Sequence, residues 1–405
     1  MNVVSIADST KNFKFDIIGL EFTENVVFEF TNKEPFSTKL ASSEGPQISD
    51  YVTHENDFSY STSGIHIAQD DRLTFISDNL ERTIIGYFSD YRESSKTRGC
   101  QVEIHFSPSI YRKLIIPRGV SHSFDGLEGI ITRDEPIWYM DDNNADWNIN
   151  NDLVSVPKKN PVSSELFVTV NNNKLPDKAH LLFSQLQQHI LQTPKLYSSR
   201  EKIKVNGEYK YVMFEDIEWL KSEDKVSEIQ NEVGQFSIDG VRVKKNKYAY
   251  TGSESYTIVP NTSSCVSDIL IMNKQSDYFY YKNFNVYMTI MNENIEEVTI
   301  TLHDLRKDKD GVREVVSLPS DPRINIKIPA GVAVKITSKK ELIIRAEIEV
   351  LYNEAGELSV NDSLISVSEN ELANHIFKAP ERIMPMEVVN ILAKLETEKF
   401  FIGAE

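Results

Sequence analysis

Leu114-Ile115-Ile116-Pro117-Arg118-Gly119-Val120 is preceded by Ser89-Asp90-Tyr91-Arg92-Glu93, and both stretches return later in the chain. The second copies are Ile326-Lys327-Ile328-Pro329-Ala330-Gly331-Val332 and His303-Asp304-Leu305-Arg306-Lys307. In each copy an apolar strand runs into Pro-x-Gly, where proline presets φ and glycine supplies freedom for a tight turn into the next strand. Two landmarks in the same order at nearly the same spacing point to duplication of one β-domain. The surroundings agree. Segments 17–20, 26–30, 82–88 and 101–106 are short, rich in β-branched and aromatic residues, and divided by polar or Gly/Pro punctuation. That is the pattern of a sandwich or barrel. After about Pro161 the period changes. Ala179, Leu182, Leu186 and Ile190 recur at helical spacing within 177–192, and 211–232 is a second, strongly charged helical candidate. Strand-like segments resume near Gln235, and a last helix is expected from Pro385, a residue suited to a first helical turn. The expected organisation is an N-terminal β-domain over 1–165, a helical connector over 166–234, a C-terminal β-domain over 235–384 and a helix over 385–405.

The 405 residues suffice for two or three domains, and 40% hydrophobic with 26% charged residues describes an ordinary globular chain. Lys plus Arg number 44 against 61 Asp plus Glu, a formal charge of −17. Such a balance argues against a general binder of nucleic acid or anionic membrane, because phosphate backbones are held by clustered cations. Cys100 and Cys265 are too few for a disulfide framework or a cysteine zinc site. Residues 1–14 hold no apolar run of signal-peptide length, and no stretch of about 18 apolar residues occurs, so a cytoplasmic protein is expected.

The succession of strand, Asp-x-Arg, strand, Ile-Pro-x-Gly-Val and strand resembles the cupin jelly roll, a two-sheet all-β fold. Within the first half, Ser63-Gly64-Ile65-His66-Ile67 is similar to the Arg-Gly-Leu-His-Phe of the dTDP-4-dehydrorhamnose 3,5-epimerase family. Ile116-Pro117-Arg118-Gly119-Val120-Ser121-His122-Ser123-Phe124 is similar to its Ile-Pro-x-Gly-x-Ala-His-Gly-Phe. Trp138-Tyr139-Met140-Asp141 falls where that family has Tyr-Tyr-Asp, and Asp146-Trp147 where it has an acidic-Trp pair. The resemblance spans about 25–157 and, more faintly, 263–357. It implies two cupin domains joined by a helical connector, paired through exchanged strands as an intramolecular pseudo-dimer, with a homodimer also open. It also implies a histidine base, oriented by a later Asp, facing a tyrosine acid. His66 matches the base. The acid position falls at or near Thr132, and the orienting Asp near Pro157-Lys158-Lys159, where no carboxylate stands. Arg72 best matches the lysine of the next strand, and Ser63 replaces the arginine before Gly64. In the second half the base position falls near Asp268 to Leu270, so that domain is expected to be degenerate.

A 4-keto sugar has acidic C–H bonds beside its carbonyl, and an imidazole can remove such a proton. The enolate then needs a donor at O4, a role suited to Arg72 or Arg133. Arg118, Arg133 and Arg112 are candidates for the diphosphate of a nucleotide sugar, since guanidinium pairs bidentately with phosphate. Trp138, Tyr139 and Trp147 are candidates for stacking a nucleobase, or are core aromatics. His122 ends a Pro-x-Gly-x-x-His that supplies one ligand in metal-binding cupins. The earlier strand reads His66-Ile67-Ala68 rather than His-x-His, so no metal and no cofactor are expected, although Glu103 or His105 could complete a set. The expected site is an N-terminal pocket with His66, Arg72, His122 and Arg133 pointing inward. The expected function is a nucleotide-sugar epimerase or isomerase in surface-polysaccharide or deoxysugar biosynthesis. A non-catalytic carbohydrate-binding or assembly bicupin and a sugar ring mutase are the alternatives.

Overall fold

The computed structural model describes residues 2–30, 35–40, 50–54, 58–141, 152–159, 162, 166–176, 201–205, 208–212, 236–250, 255–259, 265–292, 298–306, 311–322, 324–352, 364–372, 377, 380 and 382–383. They form two compact units, each discontinuous in sequence. Unit 1 comprises Met1–Asn25, Ser49–Leu220 and Tyr248–Val259; unit 2 comprises Val26–Ile48, Lys221–Lys247 and Pro260–Glu405.

Eight strands frame unit 1: β1 (Asp50–His54), β2 (Thr62–His66), β3 (Gln69–Ile76), β4 (Ile84–Asp90), β5 (Gln101–Phe106), β6 (Arg112–Ile116), β7 (Val120–Asp125) and β8 (Ile131–Asp134). One sheet has the order β5-β4-β7-β2 and the other β6-β3-β8-β1. Every connection except the β4–β5 hairpin therefore crosses between sheets, which is jelly-roll topology. Eight strands of unit 2 repeat it: β9 (Cys265–Met272), β10 (Tyr278–Tyr281), β11 (Phe284–Ile290), β12 (Val298–Asp304), β13 (Arg313–Leu318), β14 (Ile324–Ile328), β15 (Val332–Thr337) and β16 (Leu342–Tyr352). Their orders are β13-β12-β15-β10 and β14-β11-β16-β9. The alternation explains the faces. Val102, Ile104 and Phe106 on β5 meet Leu73 and Phe75 on β3 and Phe88 on β4 in the core between the sheets of unit 1, while the residues between them face outward.

Flanking strands complete the sheets. In unit 1, Ser255–Val259 pairs with β1 and Leu153–Pro157 with β2. In unit 2, Phe36–Leu40 pairs with β9 and Leu364–Val367 with β10. Each unit thus contains a strand that stands, in sequence, just before the first jelly-roll strand of the other unit.

The duplication reaches further than its two sequence landmarks. Gly119 and Gly331 both turn with positive φ, at 79° and 78°. Phe15-x-Ile17-x-Gly19-Leu20 has a counterpart in Phe236-x-Ile238-x-Gly240-Val241, and a Cβ on Gly19 or Gly240 would lie 2.9 Å from Cγ of Pro117 or Pro329. Asn25 donates to Thr74 Oγ1 and the Ile110 carbonyl, as Asn246 does to Thr289 Oγ1 and the Pro322 carbonyl. The helix expected over 177–192 and the one from Pro385 lie outside the described residues. The candidate over 211–232 differs at its start: Tyr211 belongs to the strand Glu208–Val212, paired with Glu201–Val205. The described helix, α1 (Glu369–Leu372), is a single turn.

Candidate active site

His66 ends β2 and His122 lies on β7 opposite Gly64. Period-two alternation puts His66, Gly64 and His122 on the inner face, beside Phe88 and Phe124. The imidazoles stack with ring centroids 5.9 Å apart and an interplanar angle of 25°. From the other sheet Asp71 faces both, its Oδ2 3.3 Å from His122 Nε2 and 3.9 Å from His66 Nε2. Asp152, at the start of the strand paired with β2, accepts from His66 Nδ1 at 2.7 Å. Its second oxygen accepts the Ala68 amide at 2.6 Å, which fixes the carboxylate. Gln69 donates to Asp71 at 2.6 Å and to Asp134 at 3.3 Å. Side chains of His66 and His122 are 22% and 16% exposed, against 4% for Asp71 and Asp152. The imidazoles are the part of this cluster that a solute reaches.

Burial opposes charge on the His66 ring, but the carboxylates of Asp71, Asp152 and Asp134 together outweigh it and raise its pKa to about 9. Burial wins at His122, whose pKa is lowered; Asp71 offsets this only in part and the neighbouring His66 adds to it. The pair is therefore asymmetric, with the proton on His66.

The arginines stand elsewhere. Asp71 points inward with Leu73 and Phe75, so Arg72 and Thr74 point to the opposite face, and Arg133 lies directly across from Thr74. Arg72 Nε donates to the Glu135 carbonyl at 2.6 Å and Arg133 Nη2 to Glu135 Oε1 at 3.0 Å. Arg345 and Glu347 repeat that second contact in unit 2 at 2.7 Å. The expectation that Arg72 and Arg133 face the pocket is thus corrected by strand alternation, and Arg133 belongs to the duplicated framework. Arg118 grips both oxygens of Asp70 at 2.9 and 3.1 Å and lies 3.4 Å from the centroid of the Tyr139 ring. Arg112 binds the carbonyls of Ala7, Thr10 and Ser107. Trp138 is buried among Ile65, Ile67, Tyr91 and Val168, and Trp147 lies outside the described residues. Thr132 faces inward across from Phe75, its buried hydroxyl without a hydrogen-bond partner among the described residues. His105 and Glu103 pair with each other at 2.7 Å, on the face of β5 opposite the core, away from His66.

Asp152 and Asp71 were not among the sequence candidates. Asp152 precedes Leu153-Val154-Ser155-Val156, which recurs as Leu364-Ile365-Ser366-Val367; that repeat was the available signal. Asp71 is an acid at an inward position of an otherwise core-forming strand.

Unit 2 provides an internal control. The Gly119 amide donates to the His66 carbonyl at 2.7 Å and the Gly331 amide to the Tyr281 carbonyl at 2.9 Å, so Tyr281 occupies the His66 position. This corrects the placement near Asp268 to Leu270. Register then aligns His122 with Val334 and Asp71 with Val286, and the framework arginines align Asp134 with Ala346. All four unit 2 residues belong to the apolar core. The Asp268–Lys39 ion pair, at 3.3 Å, remains in that unit.

No protein-family model matches the sequence, and no curated protein does. Among solved structures, the chain is similar to dTDP-4-dehydrorhamnose 3,5-epimerase from Elizabethkingia anophelis, at 16% identity over 42% of this chain and 88% of that one, with a TM-score of 0.26. It is similar to the RmlC epimerase of Mycobacterium tuberculosis at 13% identity over 44% and 92%, with a TM-score of 0.28. An oxalate decarboxylase structure matches at 8% identity over 89% of both chains, with a TM-score of 0.26. At scores this low the fold is read from the strand pairings above. Those pairings make the chain an all-β protein of two cupin-type jelly rolls, of which the first carries the ionisable interior.

Proposed function

We propose that this protein is a carbohydrate epimerase or isomerase that moves a proton beside a keto group in the pocket of unit 1. The observation that carries this reading is the His66–Asp152 dyad, aimed with His122 into the interior, at positions where unit 2 has Tyr281 and Val334. Asp152 holds the His66 ring in one orientation, and stacking sets a second imidazole within reach of the same bound molecule. One ring accepts a proton from carbon while the other serves the carbonyl oxygen, which is general acid–base catalysis of enolisation. A nucleotide sugar remains the proposed substrate class. Its phosphates must be met away from the inner wall, since Arg72 and Arg133 face the other way.

Solvent deuterium incorporation into nucleotide 4-keto sugars and free ketoses tests the reading. Exchange by the wild type that disappears in His66→Ala, with the fold intact by circular dichroism, supports it. Sugar binding without exchange favours the non-catalytic carbohydrate-binding alternative. Thr132 is the observation behind that alternative, because a threonine hydroxyl is a far weaker acid than a tyrosine.

A further inference from the structure

The resemblance makes His66 the base, yet the surroundings of its ring oppose that role. Its Nδ1 donates to Asp152 at 2.7 Å, its Nε2 faces Asp71 Oδ2 at 3.9 Å, and Asp134 adds a third carboxylate from β8. A ring set between carboxylates holds its proton, and a pKa of about 9 leaves it an imidazolium at neutral pH. His122 stands differently. Asp71 is the carboxylate beside it, 3.3 Å from Nε2, and its neighbours on the inner face of the sheet are Phe88 and Phe124. Burial and the nearby His66 keep this ring neutral. Its Nδ1 is buried, so a bound molecule meets Nε2. One ring nitrogen of His66 lies within 4.8 Å of one of His122. A ketone places its oxygen and its neighbouring carbon about 2.4 Å apart. Nitrogens at the observed separation can therefore reach both atoms, at about 2.6–3.2 Å each.

We propose that His122 Nε2 is the base that takes the proton from carbon, and that His66, held as an imidazolium by Asp152, is the acid that gives its Nε2 proton to the carbonyl oxygen. The assignment rests on the proton-transfer reading above and reverses the role that the resemblance implies for His66. His122 carries its own remaining proton on Nδ1, beside the Val120 backbone, which leaves Nε2 as the acceptor. In the forward step the C–H bond breaks and its proton goes to His122. Its electron pair forms the carbon–carbon double bond, the carbonyl π pair moves to oxygen, and an O–H bond forms with the His66 proton. An enol and a neutral His66 result, and the reverse step returns a proton to carbon. Positive charge thus passes from one ring to the other. Asp71 Oδ2 faces both Nε2 atoms, so one carboxylate stabilises that charge before and after the transfer. A charged donor also serves a developing oxyanion better than a neutral one.

The test follows deuterium uptake from heavy water by dihydroxyacetone and by a nucleotide 4-keto sugar, with the full chain. The base must be neutral and the acid protonated. Wild-type kcat/KM for exchange should therefore rise with pH only below 6.5, hold level, and fall above about 9. With His66 as the base it would instead rise through pH 9. His122→Gln should lose ~10²–10⁴-fold in exchange. His66→Gln keeps an N–H donor, so its loss should be smaller and the fall above pH 9 should vanish. NMR of the ring nitrogens should show His66 protonated and His122 neutral with its proton on Nδ1 at neutral pH. That measurement and the pH profile use the wild type, so they decide the assignment even where a variant folds poorly. A rise through pH 9, a larger loss in His66→Gln than in His122→Gln, or a neutral His66 ring overturns the assignment and leaves the proton-transfer reading standing. Absence of exchange by the wild type on both probes overturns the two together.

Discussion

Arg92 closes on Asp90 through two contacts of 2.8 Å, Nε to Oδ1 and Nη2 to Oδ2, and spends a further Nη2 contact on the Ile18 carbonyl. Arg306 does the same with Asp304, at 2.8 and 2.7 Å, and with the Asp239 carbonyl. The repeated Asp-x-Arg is thus a clasp between the end of a jelly-roll strand and the glycine hairpin before the barrel. Its carboxylate is fully buried and also takes Ser95 and Thr97 hydroxyls in unit 1.

Breaking the clasp leaves a part-buried guanidinium unpaired, so Asp90→Ala should destabilise unit 1 by about 3 kcal/mol. Trp138 is buried in the core of unit 1, so its fluorescence during urea unfolding, isolated by comparison with Trp138→Phe, reports that unit. The midpoint should drop for Asp90→Ala and hold for Asp304→Ala. Equal shifts would show that the units unfold as one.

Gly119 and Gly99 separate two reasons for a glycine. Both have positive φ, 79° and 81°. A Cβ on Gly119 would sit 2.4 Å from Arg92 Cγ and 2.7 Å from Val170 Cγ1, whereas one on Gly99 meets nothing within 4 Å. Gly99→Ala should cost only backbone strain, about 1 kcal/mol. Gly119→Ala should cost clearly more, and should also loosen the amide contact to the His66 carbonyl. Thermal melts of the two variants, with deuterium exchange for Gly119→Ala, make the comparison.

Strand periodicity and the Pro-x-Gly repeat were enough to read two jelly rolls, because both are local patterns that a β-sheet forces on its sequence. Inward placement of His66 and His122 followed from the same alternation. Arg72 escaped because its face depends on register: beside Asp71 at an inward position, it must point away. Asp152 was missed for a different reason. It reaches His66 from the far side of 85 residues of chain through a strand pairing, and its local mark, the stretch 153–156 that recurs at 364–367, points to a strand without saying what the residue before it does. The carboxylate was sought near Pro157-Lys158-Lys159, at the other end of that same strand.

His54 gives a pH signature independent of the site. Burial lowers its pKa from 6.5 to about 4, and the contact to the Ile130 carbonyl restores little. The folded state keeps this ring neutral while the unfolded chain protonates it. Its contribution is therefore complete above pH 6.5 and is lost as pH falls toward 4. Between pH 7 and 5 unit 1 should lose about 2 kcal/mol through this group. His54→Gln should flatten that part of the fluorescence-detected stability profile, and an unchanged slope would mean that His54 does not stay neutral on folding.

Unit 2 also states what the interior of unit 1 would be without a function. Val286 and Val334 fill the positions of Asp71 and His122, packed among Leu302, Ile328 and Ile336 with no polar atom to satisfy. Replacing a buried ionic cluster by well-packed apolar residues is often neutral or stabilising, by about 1–4 kcal/mol. Removing one member instead strands its partner. The double variant Asp71→Val/His122→Val should therefore melt at or above the wild-type temperature, while losing deuterium exchange. Asp71→Val alone leaves His122 buried without its carboxylate and should be less stable than the double variant. A double variant markedly less stable than wild type would instead mark the His66–Asp71–His122 cluster as part of the framework of unit 1, held for the fold rather than for chemistry.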